Sequence, residues 1–201
     1  MKIKICGLTR ERDIEFANEA KPDYIGFVFA DSKRKVSLEQ AKTLKSKLSG
    51  NIAAVGVFVK AEIADIMTAA RGGVIDIIQF HGNESEDFIN QIKAATGLPI
   101  IKAVNVTCAD DITQAEKVYS TADFLLFDGA IAGSGQGFDW DAVKLHQCKK
   151  PYFLAGGINS DNIEAAMKIS PYAIDTSSGA ETDGVKDRDK IITMVNKVKN
   201  N

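Results

Sequence analysis

The feature that most constrains this chain is a regular alternation running from one end to the other. Short, almost wholly apolar runs recur along the sequence, each followed by a longer stretch with helical spacing. The runs are Lys2–Cys6, Tyr24–Phe29, Ala53–Phe58, Ile75–Gln79, Pro99–Val104, Phe124–Asp128, Tyr152–Ala155 and Ala173–Asp175. Such runs suit parallel strands buried on both faces. The stretches between them carry helix starts. Ser37-Leu38-Glu39-Gln40 has the form of a capping box, and Asn83 with Glu86 resembles one. Asp139 and Ser160 suit N-cap positions, and Ile191, Met194, Val195 and Val198 form an apolar stripe on a last helix.

Eight strand–helix units with no Pro/Gly/Ser-rich linker give either an open doubly wound sheet or a closed barrel. Eight is the barrel number, and no glycine-rich dinucleotide fingerprint follows the first strand. The expectation is therefore an α/β fold, a single (β/α)8 TIM-barrel domain over residues 1–201. That length is near the fold's lower limit, so few insertions fit. A net charge of -2 gives no reason to expect nucleic acid or an anionic membrane as partner. The longest apolar runs, such as Asn51 to Val59, are too short to span a bilayer, and the N-terminus reads as a strand rather than a secretory signal. Cys6, Cys108 and Cys148 show no metal spacing and cannot all pair, which points to a reduced, cytoplasmic compartment. No segment demands a partner chain, so a monomer or a homodimer is expected.

In barrels of this kind the active site lies at the C-terminal ends of the strands. After the first strand comes Cys6-Gly7-Leu8-Thr9-Arg10. Strand parity puts Lys4 and Cys6 inside the barrel and Ile3 and Ile5 against the helices. A buried lysine needs a partner, and Asp175 on the neighbouring eighth strand is the candidate, a pair that would help keep the thiol reactive. Cys6 itself reads equally as a reactive thiol or as a small core hydrophobe. Arg34, in the basic loop after the second strand, is either solvated or a receptor for a substrate carboxylate. His81, after the fourth, either touches ligand or makes only a local hydrogen bond; the other histidine, His146, falls in an expected helix, so a multi-histidine metal site is excluded. Asp128 closes an apolar strand, as a structural acceptor or as a catalytic acid favoured by desolvation; its strand-end position favours the acid. The glycine-rich run Gly133–Gly137 follows it. Gly156, Gly157, Ser178 and Gly179 lie in the loops after the seventh and eighth strands, where barrels commonly hold phosphate.

Together these motifs resemble the phosphoribosylanthranilate isomerase family of tryptophan biosynthesis. The resemblance rests on Lys4-Ile5-Cys6-Gly7-Leu8-Thr9, Gly26-Phe27-Val28-Phe29-Ala30, Val55-Gly56-Val57-Phe58-Val59 and Gln79-Phe80-His81-Gly82. It continues through Gly133-Ser134-Gly135-Gln136-Gly137-Phe138-Asp139-Trp140, Leu154-Ala155-Gly156-Gly157, Ser177-Ser178-Gly179-Ala180-Glu181 and Gly184-Val185-Lys186-Asp187. The resemblance implies Cys6 as general base and Asp128 as general acid of an Amadori rearrangement of a small phosphorylated substrate. It implies Arg34 at the anthranilate moiety and the glycine and serine turns at the phosphate. General acid–base chemistry of this kind needs no metal or organic cofactor. Two departures stand out: Lys33 replaces a frequent proline, loosening the loop that carries Arg34, and Phe80 replaces a leucine. Other phosphosugar barrels fit less well. The histidine-pathway isomerase would want aspartates where Cys6 and Val104 stand, and indole-glycerol-phosphate synthase an inward lysine acting as acid. A silent barrel that only binds a phosphorylated ligand would not need both Cys6 and Asp128.

Overall fold

The apolar runs become eight parallel strands: β1 (Lys2–Cys6), β2 (Tyr24–Val28), β3 (Ala53–Phe58), β4 (Ile77–Phe80), β5 (Ile100–Asn105), β6 (Phe124–Asp128), β7 (Tyr152–Leu154) and β8 (Ala173–Thr176). They close into a barrel in chain order, with β8 paired back onto β1. This is seen in a computed structural model that describes residues 1–129, 140, 143 and 148–200. The run Gly133–Gly137, the expected N-cap Asp139 and His146 lie outside the described residues. Within them the helices are α1 (Glu11–Ala20), α2 (Leu38–Ser46), α3 (Ile63–Arg71), α4 (Glu86–Thr96), α5 (Ala109–Val118), α6 (Ile163–Met167) and α7 (Arg188–Lys199). None of these is long and apolar enough to cross a membrane.

Strand parity builds two apolar layers. Tyr24, Val55, Ile77, Leu126 and Phe153 fill the barrel interior. Ile5, Ile25, Phe27, Ile78 and Phe127 point the other way and pack with the helices, including Ile191 and Met194 of α7. A strand sealed on both sides must be apolar at nearly every position, which is why the runs lacked simple alternation.

Local capping sets where the helices begin. The Ser37 side chain accepts from the Gln40 amide at 3.1 Å, but the Gln40 side chain donates to the Thr9 carbonyl at 2.7 Å, so only half of the expected box forms. Asn83 is not the cap of α4. Ser85 is, because Glu86 is drawn away to accept from the Thr121 amide at 2.8 Å. Ser160 is likewise displaced: Asn162 is the N-cap of α6, and the Asn159 side chain accepts from the Asp161 amide ahead of it. After β8, a short 3-10 turn (Ser178–Ala180) leads into a small antiparallel hairpin, β9 (Glu181–Thr182) and β10 (Val185–Lys186). The hairpin folds Glu181 and Lys186 back toward the barrel mouth.

Candidate active site

A cavity of about 450 Å³ opens over the C-terminal ends of the strands, lined by Cys6, Arg34, His81, Asp128 and the Gly156-Gly157 and Ser177-Ser178 turns. The sequence places each of these at the end of its strand or in the loop that follows, and the closing of the barrel brings them around one cavity. Gly179 is the exception. It lies behind the wall, where a Cβ would stand 2.0 Å from the Ile158 carbonyl oxygen and 2.8 Å from Asn159 Cα. Its role is to let the loop after β8 pack on the loop after β7. Gly156 and Gly157 hold φ of 91° and 67°, the left-handed conformation that bare glycine backbone adopts without strain.

Lys4 points inward and is fully buried, with Nζ donating to both carboxylate oxygens of Asp175 at 3.0 and 2.9 Å. The expected pair therefore forms. Burial works against the Lys4 charge, but Asp175 together with Cys6 outweighs it and holds the ammonium above its ordinary value. The pair does not hold Cys6 as a thiolate, however. Burial pushes the Cys6 thiol up; Lys4 opposes that and Asp175 adds to it, so the unliganded site keeps a protonated sulfur. The space for that sulfur comes from Gly26, its register partner on β2, where a Cβ would stand 2.6 Å from Sγ.

Arg34 reaches the cavity across Gly7, where a Cβ would stand 2.4 Å from Arg34 Cδ. It is neither solvated nor wholly available. Its Nε and Nη2 donate to the two oxygens of Glu181 at 2.6 and 2.8 Å. Glu181 also accepts from the buried Lys186 Nζ at 2.5 Å, and Lys186 donates onward to the Ser177 carbonyl at 3.0 Å. Burial alone would raise the Glu181 carboxyl, and the two cations outweigh it and bring it below its usual range. This fork uses two of the five guanidinium donors and fixes the plane of the rest. Sequence reasoning passed over Glu181 and Lys186, although both sit inside quoted motifs; their acid–base pairing across a four-residue turn was the available signal.

His81 lies between two groups. Its Nδ1 is 3.0 Å from Gln79 Nε2, and its Nε2 is 3.5 Å from Asp128 Oδ2. Asp128 is partly exposed to the cavity. A buried lysine was also missed on the outer side of the barrel: Lys102 pairs with Glu84 at 3.3 Å and donates to the Gly82 carbonyl, pinning the loop that carries His81. β5 itself runs one residue beyond expectation, to Asn105, so Val104 packs against the helices rather than facing the site.

A closed (β/α)8 barrel with a thiol, a carboxylate, a held guanidinium and glycine turns around one strand-end cavity defines a barrel enzyme equipped for proton transfer. Known proteins fix the family. A family model described as N-(5'phosphoribosyl)anthranilate (PRA) isomerase matches residues 3–197, and the chain belongs to that family. Curated N-(5'-phosphoribosyl)anthranilate isomerases from Endomicrobium trichonymphae and Clostridium kluyveri are 48% and 44% identical. The alignments cover 96% of this chain and 96% of the first relative, and 100% of this chain and 98% of the second. The crystal structure of phosphoribosyl anthranilate isomerase from Thermotoga maritima superposes with a TM-score of 0.90 at 33% identity over the full length of both chains. A structure of the isomerase in complex with reduced 1-(o-carboxyphenylamino)-1-deoxyribulose 5-phosphate superposes with a TM-score of 0.87 at 32% identity, again over the whole of both chains.

Proposed function

We propose that this chain performs the reaction of its family with Cys6 as the base and Asp128 as the acid. The reaction isomerises N-(5'-phosphoribosyl)anthranilate to 1-(2-carboxyphenylamino)-1-deoxyribulose 5-phosphate, an Amadori rearrangement in tryptophan biosynthesis. The observation that carries the assignment is the single cavity onto which both groups open, beside the Gly156-Gly157 and Ser177-Ser178 turns. The phosphate sits at those turns, where close-lying backbone and a serine hydroxyl receive an anion. Arg34, held in plane by Glu181, takes the anthranilate carboxylate.

Asp128 gives its proton to the furanose ring oxygen as the bond from C1' to that oxygen breaks, leaving an open-chain Schiff base. Cys6, once its thiol has given up its proton to solvent, removes the proton from C2' as the thiolate, and the electron pair neutralises the iminium to give an enolamine. That enolamine tautomerises to the ketone. Each proton transfer contributes on the order of 10²–10⁴-fold when acid and base are positioned. Lys4 serves the base by opposing the burial of its negative form.

The reading further includes one barrel domain over residues 1–201, working in the cytoplasm as a monomer or homodimer. Cys6, Cys108 and Cys148 are all free thiols, which suits a reducing compartment. The test of the activity supplies purified protein with the unstable substrate generated in situ and follows loss of anthranilate-type fluorescence. Turnover is expected. No turnover there, with conversion of the histidine-pathway aminoimidazole substrate instead, would overturn the assignment.

A further inference from the structure

Gln79 occupies an inward position on β4 at 1% exposure, flanked in sequence by Ile78 and Phe80, whose side chains point to the opposite face. A buried amide without partners is costly, so its contacts carry information. Its Nε2 lies 3.0 Å from His81 Nδ1, while its Oε1 has no hydrogen-bond partner among the described residues. The reversed amide would leave both N–H groups unmet, where the amide as placed leaves one N–H and the carbonyl, and a buried N–H goes unmet more rarely than a carbonyl. Gln79 is therefore the donor, and His81 Nδ1 must accept. A neutral imidazole that accepts at Nδ1 carries its hydrogen on Nε2, and Nε2 is the atom that faces Asp128 Oδ2 at 3.5 Å.

We infer that Gln79 is a positioning residue that locks His81 in the Nε2–H form, so that His81 presents a donor to the Asp128 carboxyl. The inference rests on Asp128 being the acid. When Asp128 has given its proton to the ring oxygen, its new carboxylate faces a donor already in place, and the 3.5 Å contact tightens to a hydrogen bond. No proton passes through the imidazole. The only proton that moves in this step goes from Asp128 to the substrate. Gln79 thus orients a histidine from the side away from the reacting atoms, as carboxylates orient catalytic histidines elsewhere.

The tautomer is readable because the chain has two histidines, His81 and His146. NMR of protein carrying heavy nitrogen in its histidines, with the His81→Gln variant identifying the signal, reports which ring nitrogen is protonated. The wild type is expected to show the Nε2–H form at His81. Gln79→Glu, at a pH where the new carboxyl is ionised, can only accept at this position, so it should move the proton to Nδ1 and lower kcat by roughly 10–100-fold with KM little changed. His81→Gln, whose amide nitrogen replaces Nε2, should retain more kcat than His81→Asn, whose amide replaces Nδ1. An Nδ1–H form in the wild type overturns the inference whether or not any variant folds. A moved proton with unchanged kcat, or with a raised KM alone, overturns it as well. The spectrum is independent of whether Asp128 is the acid, which is decided separately by the turnover of Asp128→Asn.

Discussion

What a single residue does here depends on the sum of its neighbours' charges, and Cys6 is the clearest case. Strand parity and barrel closure made the Lys4–Asp175 pair legible, because Lys4 and Asp175 fall opposite one another in the β1–β8 register. The state of the sulfur was not legible. Burial and the Asp175 charge push the thiol up while Lys4 pulls it down, and only the packed structure decides which prevails. This balance gives a prediction with a definite sign. Asp175→Asn removes a negative charge and leaves the Lys4 charge to face the sulfur alone, so the Cys6 thiol should titrate at lower pH than in the wild type. The pH dependence of Cys6 alkylation measures it; a midpoint that is unchanged or higher contradicts the account. The same substitution strips a buried lysine of its partner and should cost about 3–5 kcal/mol of stability. His81 shows the opposite limit. Its place after β4 was readable, whereas its link to Gln79 depends on an inward-facing amide that the sequence left among apolar residues without comment.

At the scale of elements, the loops do what the strands cannot. The two glycine turns were legible as a phosphate cradle because their positions after β7 and β8 are fixed by the fold. How those loops hold one another was not, since the contact joins Gly179 to the backbone of Ile158 and Asn159. The grip of Glu181 on Arg34 is of the same kind, bridging the loop after β2 and the hairpin after β8. Helix starts failed for a related reason: Glu86 spends its side chain on the neighbouring loop at Thr121 and Asn159 spends its own on the backbone of its own loop, and caps move accordingly. Gly179→Ala drives a methyl into a rigid backbone and should push the two phosphate loops apart. KM for the substrate is expected to rise about tenfold or more, equivalent to ~1.4 kcal/mol of lost binding, with a smaller effect on kcat. Steady-state kinetics checks this, and an unchanged KM would show that the loops do not cooperate in binding.

Across the whole molecule, chemistry and stability occupy opposite ends of the barrel. The architecture was legible almost entirely, because eight apolar runs in alternation with helices leave few ways to bury both faces of every strand. The interior below the cavity is plugged by aromatic side chains, with Phe153 at 5.4 Å from Tyr24 and 5.6 Å from Phe124 between ring centres. Phe153→Ala should cost about 3–5 kcal/mol in urea unfolding while leaving kcat nearly intact where the protein remains folded. A loss below about 1 kcal/mol would mean that the plug is not the core it resembles. The chemistry at the other end rests on two groups, and the most direct measurement is turnover of Cys6→Ala and Asp128→Asn with substrate generated in situ. Each variant is expected to lose on the order of 10²–10⁴-fold in kcat while still binding a phosphorylated product analogue. Near wild-type turnover in either one would contradict the assignment of base and acid.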